Sequence, residues 1–125
     1  MEIGISLTIE KTTCEQDSAQ YVKSGRVNVF ATPMMIALME QTAATLVQTY
    51  LEEGQTTVGT AINTTHIAAT PIGMKVHATA TLVQIENRAL TFEIKAYDEK
   101  ECIGEASHTR FIINQDKFEE KVQSK

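Results

Sequence analysis

The sequence predicts an α+β domain, with one long apolar helix laid against an antiparallel sheet of about five strands. Three observations predict it. The N-terminal stretch alternates, with Met1, Ile3, Ile5, Leu7 and Ile9 separated by Glu2, Gly4, Ser6 and Thr8; period two marks a half-buried strand. An unbroken apolar run, Met34 to Met39, follows Thr32 and Pro33 and passes into an amphipathic stretch, the pattern of a buried helix. From residue 56 onward, alternating segments are separated only by short breakers, and short connections join antiparallel neighbours.

Each element follows in order. Behind the strand at 1–10, residues 11–30 carry Asp17, Ser18, Ser24, Gly25 and Asn28, and read as a long connection with a short helical turn near Ser18 to Lys23. Connections of this length are often lids or binding segments. Thr32 suits the N-cap of the helix and Pro33 its first turn. The helix is expected to run through "QTAATLVQTYLEE", with Leu46, Val47, Tyr50 and Leu51 facing inward, and to stop at Gly54. Four strands follow: "TVGTAINTTHI", "MKVHATATLVQIE", "ALTFEIKAYD" and "CIGEASHTRFIIN". Pro71 and Gly73 break the first connection, and "NR" and "EKE" mark the next two turns. Residues 116–125 are a polar tail with a short helical end.

The chain has 125 residues, enough for one core and one domain over 1–125. A hydrophobic share of 42% and a charged share of 22% exclude a disordered chain. The net charge of −5 argues against a nucleic-acid binder, which would carry a basic stripe. No apolar run is long enough for a transmembrane helix, and the alternating N-terminus reads as a strand rather than a signal peptide. Cys14 and Cys102 lie far apart and are expected to be free thiols in a cytoplasmic protein. The histidines and cysteines lack zinc spacing, and there is no phosphate loop, nucleophile elbow or dinucleotide fingerprint, so no metal or cofactor is expected. A two-layer domain with open sheet edges and one covering helix is expected to form a symmetric dimer.

Three residues carry candidate chemistry. Thr32 lies at a helix start, where unpaired N–H groups can hold a carbonyl oxygen that becomes negative in a reaction; taken alone, it reads first as an ordinary cap. Glu40 interrupts an apolar helix. A buried carboxylate must be paired or have its pKa raised, which suits a general base, and a desolvated one suits a nucleophile; alternatively Glu40 begins the polar face that Gln41 continues. The rise of an α-helix places Glu40 about 12 Å along the axis from Thr32. His66 ends a strand on the face shared by Val58, Thr60, Ile62 and Thr64, a face expected to meet the helix at the layer of Glu40. His77 and His108 lie mid-strand and read as structural.

Two motifs, "SGRVNVFATPMMIALME" and "TVGTAINTTHIAATPIGMKV", resemble the fluoroacetyl-CoA thioesterase-like family of hotdog-fold proteins. The motif-level similarity runs from about Ser24 to Val76, and the flanking strands fit in pattern and length. The resemblance implies a hotdog fold, a long helix wrapped by an antiparallel sheet. It implies a homodimer, with further pairing to a tetramer left open, and acyl-CoA sites at the subunit interface. It implies hydrolysis of a small acyl-CoA to the free acid and CoA, with Thr32, Glu40 and His66 as catalytic residues. A conformationally special glycine falls on Gly59, and an arginine near the ligand falls on Arg110, which otherwise reads as a solvated strand residue.

In one respect the chain departs from the family. The fluoroacetyl-specific member carries phenylalanines before the ATP motif, whereas "AQYVKSGRVNV" has only Tyr21, with Lys23 and Arg26 as candidate contacts for CoA phosphates. A general or different short acyl-CoA substrate is therefore expected, rather than a pocket selective for fluoroacetyl. Two other classes stay open at this point: a hotdog acyl-CoA hydratase or dehydratase, and a non-catalytic module that binds an acyl-CoA or another small ligand.

Overall fold

The computed structural model describes residues 1–125. Strand β1 covers Ser6–Thr12, followed by a single 3-10 turn at Glu15–Asp17 and a short helix α1 at Ala19–Val22. The long helix α2 covers Thr32–Gln48. Then come β2 (Gln55–His66), β3 (Lys75–Glu86), β4 (Ala89–Asp98), β5 (Cys102–Asn114) and a terminal helix α3 (Gln115–Gln123). The five strands form one antiparallel sheet in the order β1-β3-β4-β5-β2.

Helix α2 lies across one face of that sheet, as the resemblance implies. It buries Met35, Leu38, Met39, Ala43, Leu46 and Val47 against Val76, Ala78, Ala80 and Leu82 of β3 and Leu90, Phe92, Ile94 and Ala96 of β4. The alanines at 78, 80 and 96 keep the sheet low beneath the helix, so the large methionine and leucine side chains find room. Gly104 serves the same end on β5: a Cβ there would stand 2.7 Å from the Met35 sulfur.

Several expectations are corrected. The first strand starts at Ser6 rather than Met1, because Gly4 takes φ +101° and turns the chain out of strand geometry. Helix α2 ends at Gln48, short of Gly54, and Tyr50 is exposed. The Gln48 side chain donates to the Gln55 carbonyl (2.9 Å) and accepts from Thr56 (2.8 Å), which turns the chain directly into β2.

The largest correction concerns strand order. β2 and β3 are consecutive and joined by a short connection, yet they are not neighbours: β2 pairs only with β5, at the far edge. Reaching β3 means crossing three strand spacings, about 14 Å, and the eight residues 67–74 can span about 26 Å when extended. The crossing is held at both ends and in the middle. The Ile67 N–H donates to Ile103, the Phe30 N–H donates to Thr70, Val29 bridges to Pro71, and the Thr13 N–H donates to Met74.

Asp98 anchors the same crossing from the end of β4. Its carboxylate accepts from the Thr70 hydroxyl (2.8 Å) and from the N–H groups of Lys100 (2.8 Å) and Glu101 (3.0 Å). Asp17 plays a similar part near β1, accepting from Lys11 (2.7 Å) and the Cys14 N–H (2.9 Å). Burial alone would raise both carboxyls; for each, the hydrogen bonds and the nearby lysine outweigh it and leave it below the usual aspartate range. Asp98→Ala is expected to cost about 3 kcal/mol in urea unfolding, because it strands the buried Thr70 hydroxyl and two turn amides. A midpoint within error of the unsubstituted protein would refute this. The pH dependence follows from the sign of the shifts. Stability lent by these two carboxylates is complete above their ordinary pKa of 3.8 and drains away as pH falls through the lowered folded values.

Candidate active site

The side chains named by the sequence fall into two groups. The first lies at the start of α2. The structure caps this helix with Ala31, not Thr32, and without a side-chain cap; Pro33 has no N–H and the Met34 and Met35 amides donate to the Ala31 carbonyl, which leaves the Thr32 N–H free. Thr32 is the first helical residue, and its hydroxyl shares a 2.7 Å hydrogen bond with His66 Nδ1 at the end of β2. His66 Nε2 is buried without a hydrogen-bond partner. Burial pushes the imidazole below the usual histidine range, and the Ala68 backbone nearby offsets part of that. A small cleft of about 250 Å³ opens beside the pair, walled by Val29, Phe30, Ala31, Ala68 and Ala69.

The second group lies two turns further along α2. Glu40 is not deeply buried, since its side chain is 42% exposed. It faces Arg110 of β5, whose NH1 donates to Oε2 at 3.4 Å. Arg110 is itself 8% exposed, so it is an inward-facing strand residue and not a solvated one. Its Nε donates to the Thr57 hydroxyl (2.8 Å) and its NH2 to the Thr57 carbonyl (3.1 Å). Burial lowers the Arg110 pKa, and the Glu40 carboxylate opposes that shift.

Gly59 completes this group for a reason of space. Its φ lies outside the left-handed region, so it is not conformationally special. A Cβ on Gly59 would stand 2.7 Å from Glu40 Oε2 and 3.3 Å from both Arg110 NH1 and His108 Cε1. Gly59→Ala is therefore expected to push the carboxylate out of place, lowering turnover about 10- to 100-fold with little change in melting temperature. Unchanged turnover in a folded variant would refute this.

A β-bulge explains which residues of β2 face the helix. The register of β2 against β5 shifts between Gly59 and Ala61. Thr57 and Gly59 point inward before the bulge, and Ile62, Thr64 and His66 after it. The expected face of Val58 and Thr60 was thus out of phase by one residue, and Thr60 is exposed. His66 meets Thr32, not Glu40, so one chain keeps the two groups apart. His108, read as structural, belongs with Glu40: it is 1% exposed, with Nε2 3.2 Å from Arg110 NH1. The signal was available, because alternation on β5 places His108 and Arg110 on one face.

With this geometry in view, similarity to known proteins is informative. The family described as FlK, fluoroacetyl-CoA-specific thioesterase, matches residues 13–116. The fluoroacetyl-CoA thioesterase of Streptantibioticus cattleyicolor is 43% identical over 97 residues, covering 78% of this chain and 70% of that protein. The chain belongs to the fluoroacetyl-CoA-specific thioesterase family. It is accordingly a hotdog-fold thioester hydrolase. A crystal structure of the thioesterase FlK superposes with a TM-score of 0.95 at 34% identity, over 100% of this chain and 97% of that one. A mutant of the same FlK thioesterase in complex with fluoroacetate and CoA superposes at 0.90 and 34% identity, over 94% and 99% of the two chains. A thioesterase superfamily member from Thermus thermophilus, 24% identical over 98% of this chain and 91% of that one, shares the hotdog fold with a TM-score of 0.91. No helix of this family member is long and apolar enough to cross a membrane.

Proposed function

We propose that this protein hydrolyses short acyl-CoA thioesters to the free acid and CoA, with Thr32, Glu40 and His66 as its catalytic residues. The observation that carries the reading is the Thr32–His66 hydrogen bond at an uncapped helix start beside a small apolar cleft. The Thr32 N–H, the amide of the first turn left without a partner, together with the Thr32 hydroxyl and the positive end of the helix, would hold the thioester carbonyl oxygen as it becomes negative. Glu40 supplies the carboxylate, either drawing a proton from water or attacking the carbonyl carbon to give an anhydride that water then opens. His66 orients Thr32 and can protonate the departing thiolate.

One chain alone separates these groups, because eight residues of helix put about 12 Å between Thr32 and Glu40. A reacting carbonyl must lie about 3 Å from both its oxyanion donors and its nucleophile. We therefore propose a homodimer in which two-fold pairing runs the two α2 helices antiparallel, so that Thr32 and His66 of one protomer face Glu40 of its partner. The exposed backbone of edge strand β2 beside Glu40 suits such a contact. Gly59 and Arg110 then shape the substrate site from the side of Glu40. Lys23 and Arg26, both exposed next to Ser24 at the cleft, are the candidate contacts for CoA phosphates. The proposal places the whole activity in one domain, residues 1–125, in the cytoplasm, where its two free cysteines would stay reduced.

A cleft of about 250 Å³ lies below the usual range for drug-sized ligands, which favours acyl groups of a few carbons. Tyr21, the one aromatic of the preceding segment, is 57% exposed and does not wall the cleft. CoA thiol release across acetyl-, fluoroacetyl-, branched, medium-chain and aromatic acyl-CoA esters tests the reading. Short esters are expected to give the highest kcat/KM. A clear preference for medium chains would overturn the substrate class, and no release from any ester would overturn the function.

A further inference from the structure

We infer that His108 is a positioning residue for the reaction: with its Nδ1–H held by the carbonyl of Ala61 at the β2 bulge and its bare Nε2 turned to Arg110, the neutral ring fixes the Arg110 guanidinium against Glu40. The inference rests on the proposed function only in taking Glu40 as the reacting carboxylate.

The chemistry of the partners decides the tautomer. His108 Nδ1 lies 2.7 Å from the Ala61 carbonyl oxygen, which can only accept, so Nδ1 carries the hydrogen. His108 Nε2 lies 3.2 Å from Arg110 NH1, which can only donate, so Nε2 is bare. Both nitrogens are thereby assigned, and the ring is neutral. Arg110 has two further bonds, both to Thr57, through Nε and NH2. NH1 has two hydrogens and two acceptors, His108 Nε2 and Glu40 Oε2. The contact with Glu40 is long, at 3.4 Å, and depends on the rotation of the guanidinium group. Thr57 holds the Nε–NH2 edge of the group, and His108 holds the NH1 end that faces Glu40. The bulge is part of the device: it brings Gly59, which leaves room for the Glu40 carboxylate, and the Ala61 carbonyl to bear on the same imidazole.

Protonation of His108 would remove the acceptor for Arg110 and set two cations side by side. The groups facing the ring are few. Arg110 approaches along β5, Glu40 comes from α2, and β4 contributes only the Phe92 ring, with centroids 6.1 Å apart. β2 presents the Ala61 carbonyl and no titratable side chain. Burial depresses the His108 pKa most, with the Ala61 bond and Glu40 opposing and Arg110 assisting. The clamp therefore holds at neutral pH and is expected to release only below the ordinary histidine range.

The test compares His108→Leu, which removes the acceptor, with His108→Gln, whose side-chain oxygen can still accept from Arg110. Leucine is expected to lower kcat about 10- to 100-fold with KM within about threefold, and glutamine to recover most of that loss. A fully active leucine variant, in a protein whose turnover is abolished by Glu40→Gln, overturns the inference and leaves the proposed function standing. The geometry is also read without turnover. In 15N-labelled unsubstituted protein, His108 is expected as the Nδ1–H tautomer from pH 8 to pH 7, above the ordinary histidine pKa of 6.5, with resolved Arg110 side-chain N–H signals. An Nε2–H tautomer or an imidazolium in that window overturns the inference even if the protein hydrolyses no ester or the leucine variant does not fold.

Discussion

Glu40→Gln is expected to lower kcat for short acyl-CoA hydrolysis by about a thousandfold while leaving the fold intact. The amide has the size of the carboxylate and keeps an oxygen that can accept from Arg110 NH1, so the ion pair becomes a hydrogen bond from the charged guanidinium to a neutral amide and the arginine stays in place. Lost is the charge that abstracts a proton from water or attacks carbon. The side chain is 42% exposed, so the substitution removes no large buried contact and the melting temperature should hold. Acyl-CoA binding should survive too, because a group that acts in the transition state affects kcat more than KM. Thiol release at the unsubstituted rate would remove Glu40 from the mechanism.

Mixing two inactive variants is expected to restore activity. Thr32→Ala breaks the 2.7 Å bond to His66 at the helix start, and Glu40→Gln removes the carboxylate two turns away. If each site draws Thr32 from one protomer and Glu40 from the other, a mixed dimer holds one doubly defective site and one intact site. Random exchange makes half the dimers mixed, so activity should rise to roughly a quarter of the unsubstituted level, from almost none. If both residues of each site come from one chain, every site in the mixture carries one defect and no activity returns. Co-expression with two purification tags, followed by thiol release on the doubly tagged species, gives the measurement. The same fractionation reports whether the chain forms dimers, so a failure to pair is distinguished from a site built within one chain.

The amount legible in the sequence differed between elements for physical reasons. β2 to β5 could be read to within about two residues, because each has one face on the core and one in water, and alternation survives in the residue types. The start of α2 was legible from Thr32 and Pro33, although Thr32 turned from the helix amides to His66 and left Ala31 as the cap. Its end was not, because Gln48 closes the turn by side-chain bonds to Gln55 and Thr56 that no local pattern announces. Arg110 and His108 illustrate the same limit at the site. Alternation placed both on one face of β5, but only the contacts with Thr57, Glu40 and Ala61 distinguish a clamp from a structural histidine beside a solvated arginine.

The sequence by itself determined the α+β class, the five strands, the long helix and the anomaly of a carboxylate within it, because all of these are written in local periodicity and residue type. Its motifs also pointed to the family. Only the tertiary structure decided that β2 crosses to the far edge to pair with β5, that a bulge at Thr60 exchanges the faces of that strand, and that Thr32 meets His66 while Glu40 meets Arg110 and His108. These are contacts between residues far apart in the chain. They are settled by how the helix packs on alanine-rich strands and by which buried donors find acceptors, and neither is expressed in the spacing of neighbouring residues.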